Sequence, residues 1–159
     1  MRILADTNIV ARIAQPAHHH HQAALRAVET VIARNDDPCI VPQVLYEFWV
    51  VATKPASANG LALTMVQAEA EITKARSVFT LLRDERTIFD HWERLVVKYD
   101  VRGKSAHDAR LVAAMVRHNV SYILTFNAQD FTRYGGITVL SPEAVIQANE
   151  SRSTPKPDA

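Results

Sequence analysis

The chain has 159 residues, of which 48% are hydrophobic and 22% are charged, with only 4 Gly and 7 Pro. This composition is typical of a single globular domain, and it excludes collagen-like, low-complexity and wholly disordered proteins. The formal net charge of +1 neither favours nor excludes a nucleic-acid partner, and the single cysteine, Cys39, excludes an internal disulfide. No apolar run approaches the roughly 20 residues that span a bilayer, so we expect a cytoplasmic protein without a membrane segment.

Short apolar runs alternate with amphipathic segments along the chain. The first run, 3–5, ends at Asp6 and is followed by Thr7 and Asn8, which favour turns and helix caps. Helices are predicted over about 22–34, 42–52, 64–76, 87–98 and 108–117, and further strands over 39–41, 78–82, 121–126 and 137–140. Thr64 and Gln67 are spaced as a capping box at the start of the third helix.

Strands that alternate with helices predict an α/β fold around a mainly parallel sheet of four to five short strands. The strands are apolar throughout, as expected when helices cover both faces of the sheet. In such sheets, ligands bind outside the carboxyl ends of the strands, near the point where the strand order reverses. We expect one domain over residues 1–148 and a frayed polar tail over 149–159.

Four carboxylates occupy positions that are unusual for their surroundings. Asp6 and Asp130 follow strand ends, Glu47 lies on an apolar helical stripe, and Asp108 begins the buried stripe of its helix. Each alone has a structural interpretation. Asp6 can cap a helix, and Glu47 can face solvent or pair with an arginine. Asp108 can be stabilised by the helix dipole, and Asp130 can belong to a turn.

Together the four acids predict a cation site. Two carboxylates about 4 Å apart repel by about 4 kcal/mol at an effective dielectric constant near 20, so converging acids need protons or a cation. Hard divalent ions such as Mg²⁺ or Mn²⁺ prefer oxygen ligands, and Mg²⁺ commonly shares its remaining positions with phosphate. The chemistry that follows is metal-assisted hydrolysis of a phosphodiester.

The order and spacing of these acidic segments resemble PIN-domain ribonucleases, and more closely the toxin component of VapBC-type bacterial toxin–antitoxin pairs. The resemblance runs from Ile3 to about Pro142 and rests on Asp6-Thr7-Asn8, Glu47, Asp108 and Thr125-Phe126-Asn127 with Asp130-Phe131. It implies a three-layer α/β/α sandwich, a Mg²⁺- or Mn²⁺-dependent endoribonuclease, a homodimer, and inhibition by a small cognate antitoxin. Carried over by position, Asp6, Glu47, Asp108 and Asp130 form the acidic site, and its hydrogen-bonding supports are Thr7, Asn8, Thr125 and Asn127.

In the expected mechanism, Asp6, Asp108 and Asp130 hold one or two divalent ions, while Glu47 binds an ion through water or orients the attacking water. Some family members carry an acid at the position of Asn127, so Asn127 is a second candidate for the fourth ligand. RNA must also be held, and phosphate contacts usually come from Lys and Arg. Arg102 and Lys104, which precede the Asp108 helix, are the candidate RNA-binding pair.

Other interpretations remain open. The run 18–21, four consecutive histidines, is read as a solvated loop rather than as an adventitious Ni²⁺ or Zn²⁺ site. The same fold could serve as a non-catalytic module that binds RNA or protein. A phosphatase-like domain with Asp6 as nucleophile is disfavoured, because its Asp-x-Asp arrangement needs an acid where this chain has Asn8.

Overall fold

A single parallel sheet forms the centre of the molecule. The computed structural model describes residues 1–153, and within them five strands are hydrogen-bonded in the order β3-β2-β1-β4-β5, with every neighbouring pair parallel. The predicted α/β class and parallel sheet are confirmed. The strands are β1 (Arg2–Ala5), β2 (Asp37–Ile40), β3 (Thr80–Leu81), β4 (Tyr122–Leu124) and β5 (Thr138–Leu140).

The strand order reverses beside β1. The chain passes from β1 to β2 on one side, where Leu4 lies opposite Cys39. It returns much later to the other side, where Leu4 lies opposite Ile123 of β4. The ladder continues past the strand ends, since the Asp6 N–H donates to the Leu124 carbonyl at 3.0 Å. The carboxyl ends of β1 and β4 therefore border the crevice in which α/β proteins bind their ligands.

Helices cover both faces of this sheet. Successive strand residues point to opposite faces, and Ile3, Leu4 and Ala5 of β1 are all buried. Among the described residues, α5 packs on α6, and α2 packs on α1 and α7. The helices are α1 (Thr7–Ile13), α2 (His21–Ala33), α3 (Pro42–Thr53), α4 (Met65–Val78), α5 (Thr87–Lys98), α6 (Ser105–Arg117) and α7 (Pro142–Ser153). In residues 1–153 no helix combines the length and the apolar character that crossing a bilayer requires.

Two helices were not predicted. Helix α1 begins directly after β1, and Asp6 caps it by accepting a hydrogen bond from the Thr7 N–H. Helix α7 begins at Pro142 and is fixed by tertiary contacts, because Arg34 donates to the Val145 carbonyl at 2.8 Å. It runs to Ser153 and so extends into the first residues of the predicted tail. The remainder of that tail, 154–159, lies outside the described residues.

Predicted boundaries also shift at α6 and at β3. Helix α6 begins at Ser105, so Asp108 is its fourth residue rather than its first. The segment predicted as a strand over 78–82 is shorter, because α4 continues through Val78 and only Thr80–Leu81 pair with β2. The capping box of α4 is present as predicted, with Thr64 and Gln67 exchanging hydrogen bonds. Cys39 is fully buried, and burial raises the pKa of its thiol to about 12, which fits a packing role.

Candidate active site

Asp6 lies at the junction of β1 and α1, with only 8% of its surface exposed. Its Oδ1 accepts a hydrogen bond from the Thr7 N–H at 2.7 Å. Its Oδ2 accepts from Asn8 Nδ2 at 2.6 Å and from the Thr125 hydroxyl at 2.7 Å. The helix cap and the site carboxylate are thus the same group, because capping uses one oxygen and the other faces the end of β4.

The pKa of Asp6 is raised. Burial is the main cause, and the negative charges of Glu47 and Asp130 add to it, while hydrogen bonds from Thr125 and Thr7 act in the opposite direction. A buried carboxylate of this kind is stabilised by a nearby cation, because both the desolvation and the like charges disfavour its ionised form.

Asn8 ties α1 to the segment that follows β4. Its Nδ2 donates to Asp6 and also reaches the Thr125 hydroxyl oxygen at 3.0 Å, and its Oδ1 accepts from the Phe126 N–H at 3.2 Å. The Thr125 oxygen also accepts from the Asn127 N–H at 3.0 Å. Asn8 and Thr125 therefore interact here through their side chains, and Thr7 contacts Glu47 through its hydroxyl. Asn127 contributes its backbone and leaves its side chain exposed.

Glu47 is held in α3 by two hydrogen bonds. Its Oε2 accepts from the Thr7 hydroxyl and its Oε1 from Gln43 Nε2, both at 2.7 Å. Within residues 1–153, Glu47 forms no ion pair. The nearby Arg110 donates to Gln43, so the alternative in which Glu47 pairs with an arginine is not observed there. The side chain is half-buried, and neutral donors orient it without cancelling its charge.

Sequence reasoning did not identify Gln43 as a site residue. Its side chain is buried, and Nε2 donates both to Glu47 and to the His107 carbonyl at 2.8 Å. Its Oε1 accepts from Arg110 at 3.1 Å, and Arg110 also forms a two-pronged ion pair with Asp84 at 2.8 and 2.9 Å. The available signal was spacing, because Gln43 precedes Glu47 by one helical turn and shares its face.

Asp108 and Asp130 complete the acidic group. Asp108 lies in the first turns of α6 and is partly buried, and its pKa is raised to about 6. Burial contributes most, followed by the charges of Asp130, Asp6 and Glu47, while His107 lowers it. Asp130 ends a short 3₁₀ turn after β4 and is exposed. All four predicted carboxylates therefore share one electrostatic environment at the carboxyl edge of the sheet.

The donor set of this edge fits a hard cation. Within the described chain no three His, Cys, Asp or Glu side chains are already arranged around a common metal position. Mg²⁺, however, keeps several water ligands and is often bound through only one or two carboxylates. The raised pKa values of Asp6 and Asp108, to which neighbouring carboxylates contribute after burial, indicate uncompensated negative charge that such an ion neutralises.

The predicted RNA-binding pair lies on the surface before α6. Arg102 is 82% exposed and pairs with Asp100 at 2.8 Å, an exposed interaction that contributes little stability. Lys104 is also exposed and precedes Ser105, the first residue of α6. In residues 1–153 neither cation contacts the four carboxylates through a hydrogen bond, so their RNA-binding role stays a prediction.

The fold is similar to those of solved toxin–antitoxin proteins. VapBC2 from Rickettsia felis, solved with a DNA fragment from its promoter, matches with a TM-score of 0.67 at 15% identity, over 89% of this chain and 98% of that one. A toxin–antitoxin complex from Klebsiella pneumoniae matches at 0.62 and 23%, over 88% and 97%. VapC20 from Mycobacterium tuberculosis, described as a sarcin-ricin loop cleaving toxin, matches at 0.58 and 19%, over 76% and 86%.

At these identities the structural likeness concerns the fold, and no curated protein is a significant sequence match. The PIN domain model matches residues 3–137. That span begins in β1, ends just before β5, and contains all four carboxylates of the site. The chain therefore belongs to the PIN domain family.

Proposed function

We propose that this protein is a metal-dependent endoribonuclease and the toxin component of a type II toxin–antitoxin pair. The observation that carries the proposal is the electrostatic coupling of four carboxylates, from four separate segments, at the strand-order reversal of a PIN fold. PIN-family membership supports a nuclease, and the toxin–antitoxin complexes among its structural neighbours support the more specific biological role.

Asp6, Asp108 and Asp130 are the residues that would hold Mg²⁺ or Mn²⁺. The chemistry that a bound divalent ion supplies is activation of water and stabilisation of charge on the phosphodiester. Asp6 is fixed for this task by its three hydrogen bonds. Asp108 lies in the same acidic group, and the charge of Asp130 adds to burial in raising the pKa values of both Asp6 and Asp108.

Glu47 has the role of positioning the attacking water. Thr7 and Gln43 each occupy one of its oxygens, which fixes the plane of the carboxylate while leaving further acceptor positions on both oxygens. A water held there can lose a proton to the carboxylate as its oxygen attacks phosphorus, in line with the 3′ oxygen. The bond between phosphorus and this 3′ oxygen breaks, and the 3′ oxygen takes a proton from solvent water. The products are a 5′-phosphate and a 3′-hydroxyl.

Cleavage of single-stranded RNA by the wild type and by Asp6→Asn tests this function. We expect wild-type cleavage with Mg²⁺ or Mn²⁺, none with EDTA, and at least about a 100-fold loss in the variant, as is usual when a group that acts in the chemical step is removed. Asp90→Asn is the matched control, because Asp90 is an exposed carboxylate on α5. Equal cleavage by all three proteins, or cleavage in EDTA, would contradict the mechanism.

RNA binding that is changed neither by metal nor by Glu47→Gln would instead favour a non-catalytic binding module.

The proposed antitoxin has a candidate docking place on the opposite end of α1. A cleft of about 380 Å³ lies among α1, α2 and α4, and its lining is largely apolar: Val10, Ile13, Leu25, Val28, Ile32, Val78 and Phe79. An amphipathic segment can bury its apolar side chains in a groove of this kind. We propose that a segment of the antitoxin occupies this cleft.

The cytoplasm, where RNA and antitoxin are both present, is the proposed location.

The proposed homodimer also has a candidate surface. Tyr46 and Val50, one turn apart on α3, are 63% and 60% exposed. Apolar side chains grouped in this way commonly mark protein–protein contacts. Sedimentation of Tyr46→Glu against the wild type tests whether this surface carries a dimer.

A further inference from the structure

The run of four histidines lies mainly in the turn between α1 and α2, as its composition predicted, and the rings of His18, His19 and His20 are grouped there. The His18 and His19 rings are stacked with centroids 4.3 Å apart, and the His19 and His20 rings are 4.0 Å apart. His20 in turn stacks on Phe126, with centroids 4.5 Å apart and planes inclined by 28°. Phe126 itself packs against the hydrophobic core, so the stack has a rigid base.

Backbone contacts fix the turn that carries these rings. The His18 N–H donates to the Gln15 carbonyl and the His21 N–H donates to the His18 carbonyl, both at 2.9 Å. The His20 N–H donates to His18 Nδ1 at 3.1 Å, and His21 Nδ1 lies 3.0 Å from the Arg12 carbonyl. These contacts hold the rings of His18, His19 and His20 beside one another.

The stack forms one wall of an open pocket of about 430 Å³, whose other walls include Asn8, Arg12, Asn127 and Glu143. This pocket adjoins the acidic site directly, because Asn8 lines it and donates to the Asp6 carboxylate at 2.6 Å. A ligand in the pocket is therefore separated from the acidic edge by a single side chain.

We propose that this pocket binds one unpaired base of the RNA substrate, stacked against the histidine rings, next to the phosphate that is cut. The proposal rests on the nuclease function proposed above and adds the place at which one base of the RNA is held. Stacking on aromatic rings is the usual way in which proteins hold unpaired bases, whereas bases within a duplex are not accessible to it.

The polar groups of the pocket suit a nucleotide. Arg12 donates to Gln15 at 2.8 Å and has no carboxylate partner within the described chain, so its charge is available to a phosphate of the bound strand. Asn127 presents an exposed amide, which can both donate to and accept from a base edge. Glu143 also lines the pocket and can accept from a base amino group.

Fluorescence of 2-aminopurine tests the proposal without any cleavage. The probe is a single-stranded RNA octamer with one 2-aminopurine, bound in EDTA, because stacking on an aromatic ring quenches this base. We expect His20→Gln to weaken binding by about 5- to 100-fold and to abolish the quenching, because His20 holds the His18 and His19 rings on Phe126. His20→Tyr keeps a ring between Phe126 and His19 and retains both. His91→Gln is the control, because His91 lies on α5 outside the pocket. Thermal unfolding of each variant verifies that it folds.

The outcomes separate this proposal from the nuclease function. Unchanged affinity and quenching in His20→Gln would overturn the base pocket even if metal-dependent cleavage were intact. Quenching without any metal-dependent cleavage would support the pocket and remove the nuclease. Equal loss of affinity for a duplex of the same sequence, or an effect confined to antitoxin binding, would also contradict base stacking.

Discussion

Hydrogen-bond donors are shared unevenly among the four site carboxylates. Asp6 and Glu47 each accept bonds at both oxygens. In the part of the chain that the structure describes, Asp108 and Asp130 accept none. A partly buried carboxylate without donors is destabilised in its charged form. Asp108, which is partly buried, is therefore the side chain that gains most from a cation, while Asp6 and Glu47 are already held in position without one.

This difference predicts a pH-dependent effect of metal on stability. Because the pKa of Asp108 is raised to about 6, the folded protein binds this proton more tightly than the unfolded chain. Without metal, protonation of Asp108 stabilises the folded state. This contribution to the free energy of unfolding is complete below the unfolded pKa near 3.9 and is lost as the pH rises through about 6. For a partly exposed group we expect a loss of about 1 kcal/mol.

Thermal unfolding in EDTA and in Mn²⁺ measures this effect. Mn²⁺ should raise the melting temperature more at about pH 7.5 than at about pH 5, because the ion competes with the proton for the same oxygens. Asp108→Asn should be more stable than the wild type in EDTA at the higher pH and should respond less to Mn²⁺. The idea fails if wild type and variant respond alike at both pH values.

Gln43 is predicted to be a positioning residue for Glu47. Gln43→Leu keeps the volume of the side chain but removes the donor to Glu47 and to the His107 carbonyl. We expect kcat for RNA cleavage to fall by about 10- to 100-fold, the usual effect of losing a group that orients a site residue, with little change in KM. Gln22→Leu, on the exposed face of α2, is the control. A change in KM alone would contradict a positioning role.

Among the helices, the junction of α3 and α4 is built by the chain folding back on the end of α3. The Leu61 N–H donates to the Val51 carbonyl at 2.9 Å, and the Leu63 N–H donates to the Ala52 carbonyl at 2.8 Å. These bonds satisfy carbonyl groups that a helix end would otherwise leave without partners. Gly60 lies at the closest approach, since a Cβ added there would lie 1.9 Å from the Lys54 carbonyl oxygen.

Gly60→Ala should therefore lower the free energy of unfolding by about 1–3 kcal/mol, the usual cost of overpacking a tight site. Gly135→Ala is the matched control, because its nearest contact is the Tyr99 hydroxyl at an ordinary 3.5 Å. Denaturant unfolding of the two variants measures the difference. Equal stabilities would show that the loop relaxes freely around the added methyl group.

The elements that the sequence predicted well are those whose signals are local. The capping box of Thr64 and Gln67 needs only residues three positions apart, and it is present. Helix α7 escaped prediction because its fixing contacts come from Arg34, far away in the chain. The short α1 was not predicted, although Asp6, which caps it, is a helix-cap candidate from the sequence.

The same distinction explains the site. The four acids could be selected from sequence because a carboxylate at a strand end or on an apolar stripe is visible locally. The role of Gln43 could not, since it depends on Arg110 and the His107 carbonyl arriving from α6. The histidine stack was likewise missed, because its base, Phe126, belongs to the segment after β4.

Across the molecule, α1 joins two surfaces of different character. Its first residues, Thr7 and Asn8, contact the acidic site, and its later residues, Val10 and Ile13, line the apolar cleft. Because α1 spans only 7 residues, a partner seated in the cleft lies about 10 Å from the acids, given a rise of 1.5 Å per residue. An antitoxin segment could therefore reach the acidic edge while anchored by apolar contacts.

Ile32→Glu tests the cleft as the antitoxin site. Ile32 lines the cleft and is 47% exposed, so a charge there should block docking of an apolar segment without disturbing the core. We expect RNA cleavage to persist and binding of the co-encoded antitoxin to be lost in calorimetry. Val116→Glu, exposed on α6 and away from the cleft, is the control. If expression of the neighbouring reading frame does not relieve growth arrest caused by the wild type, the proposed antitoxin partner is contradicted.

The central strand of this sheet is the first to be synthesised, yet one of its neighbours comes near the end of the chain. The Thr125 hydroxyl that holds Asp6 lies 119 positions further along the sequence. Nascent chains on the ribosome that stop short of β4 thus lack both this bond and Asp130. Under the nuclease function proposed above, such a polypeptide lacks part of the acidic site and does not cleave RNA before synthesis has passed this segment.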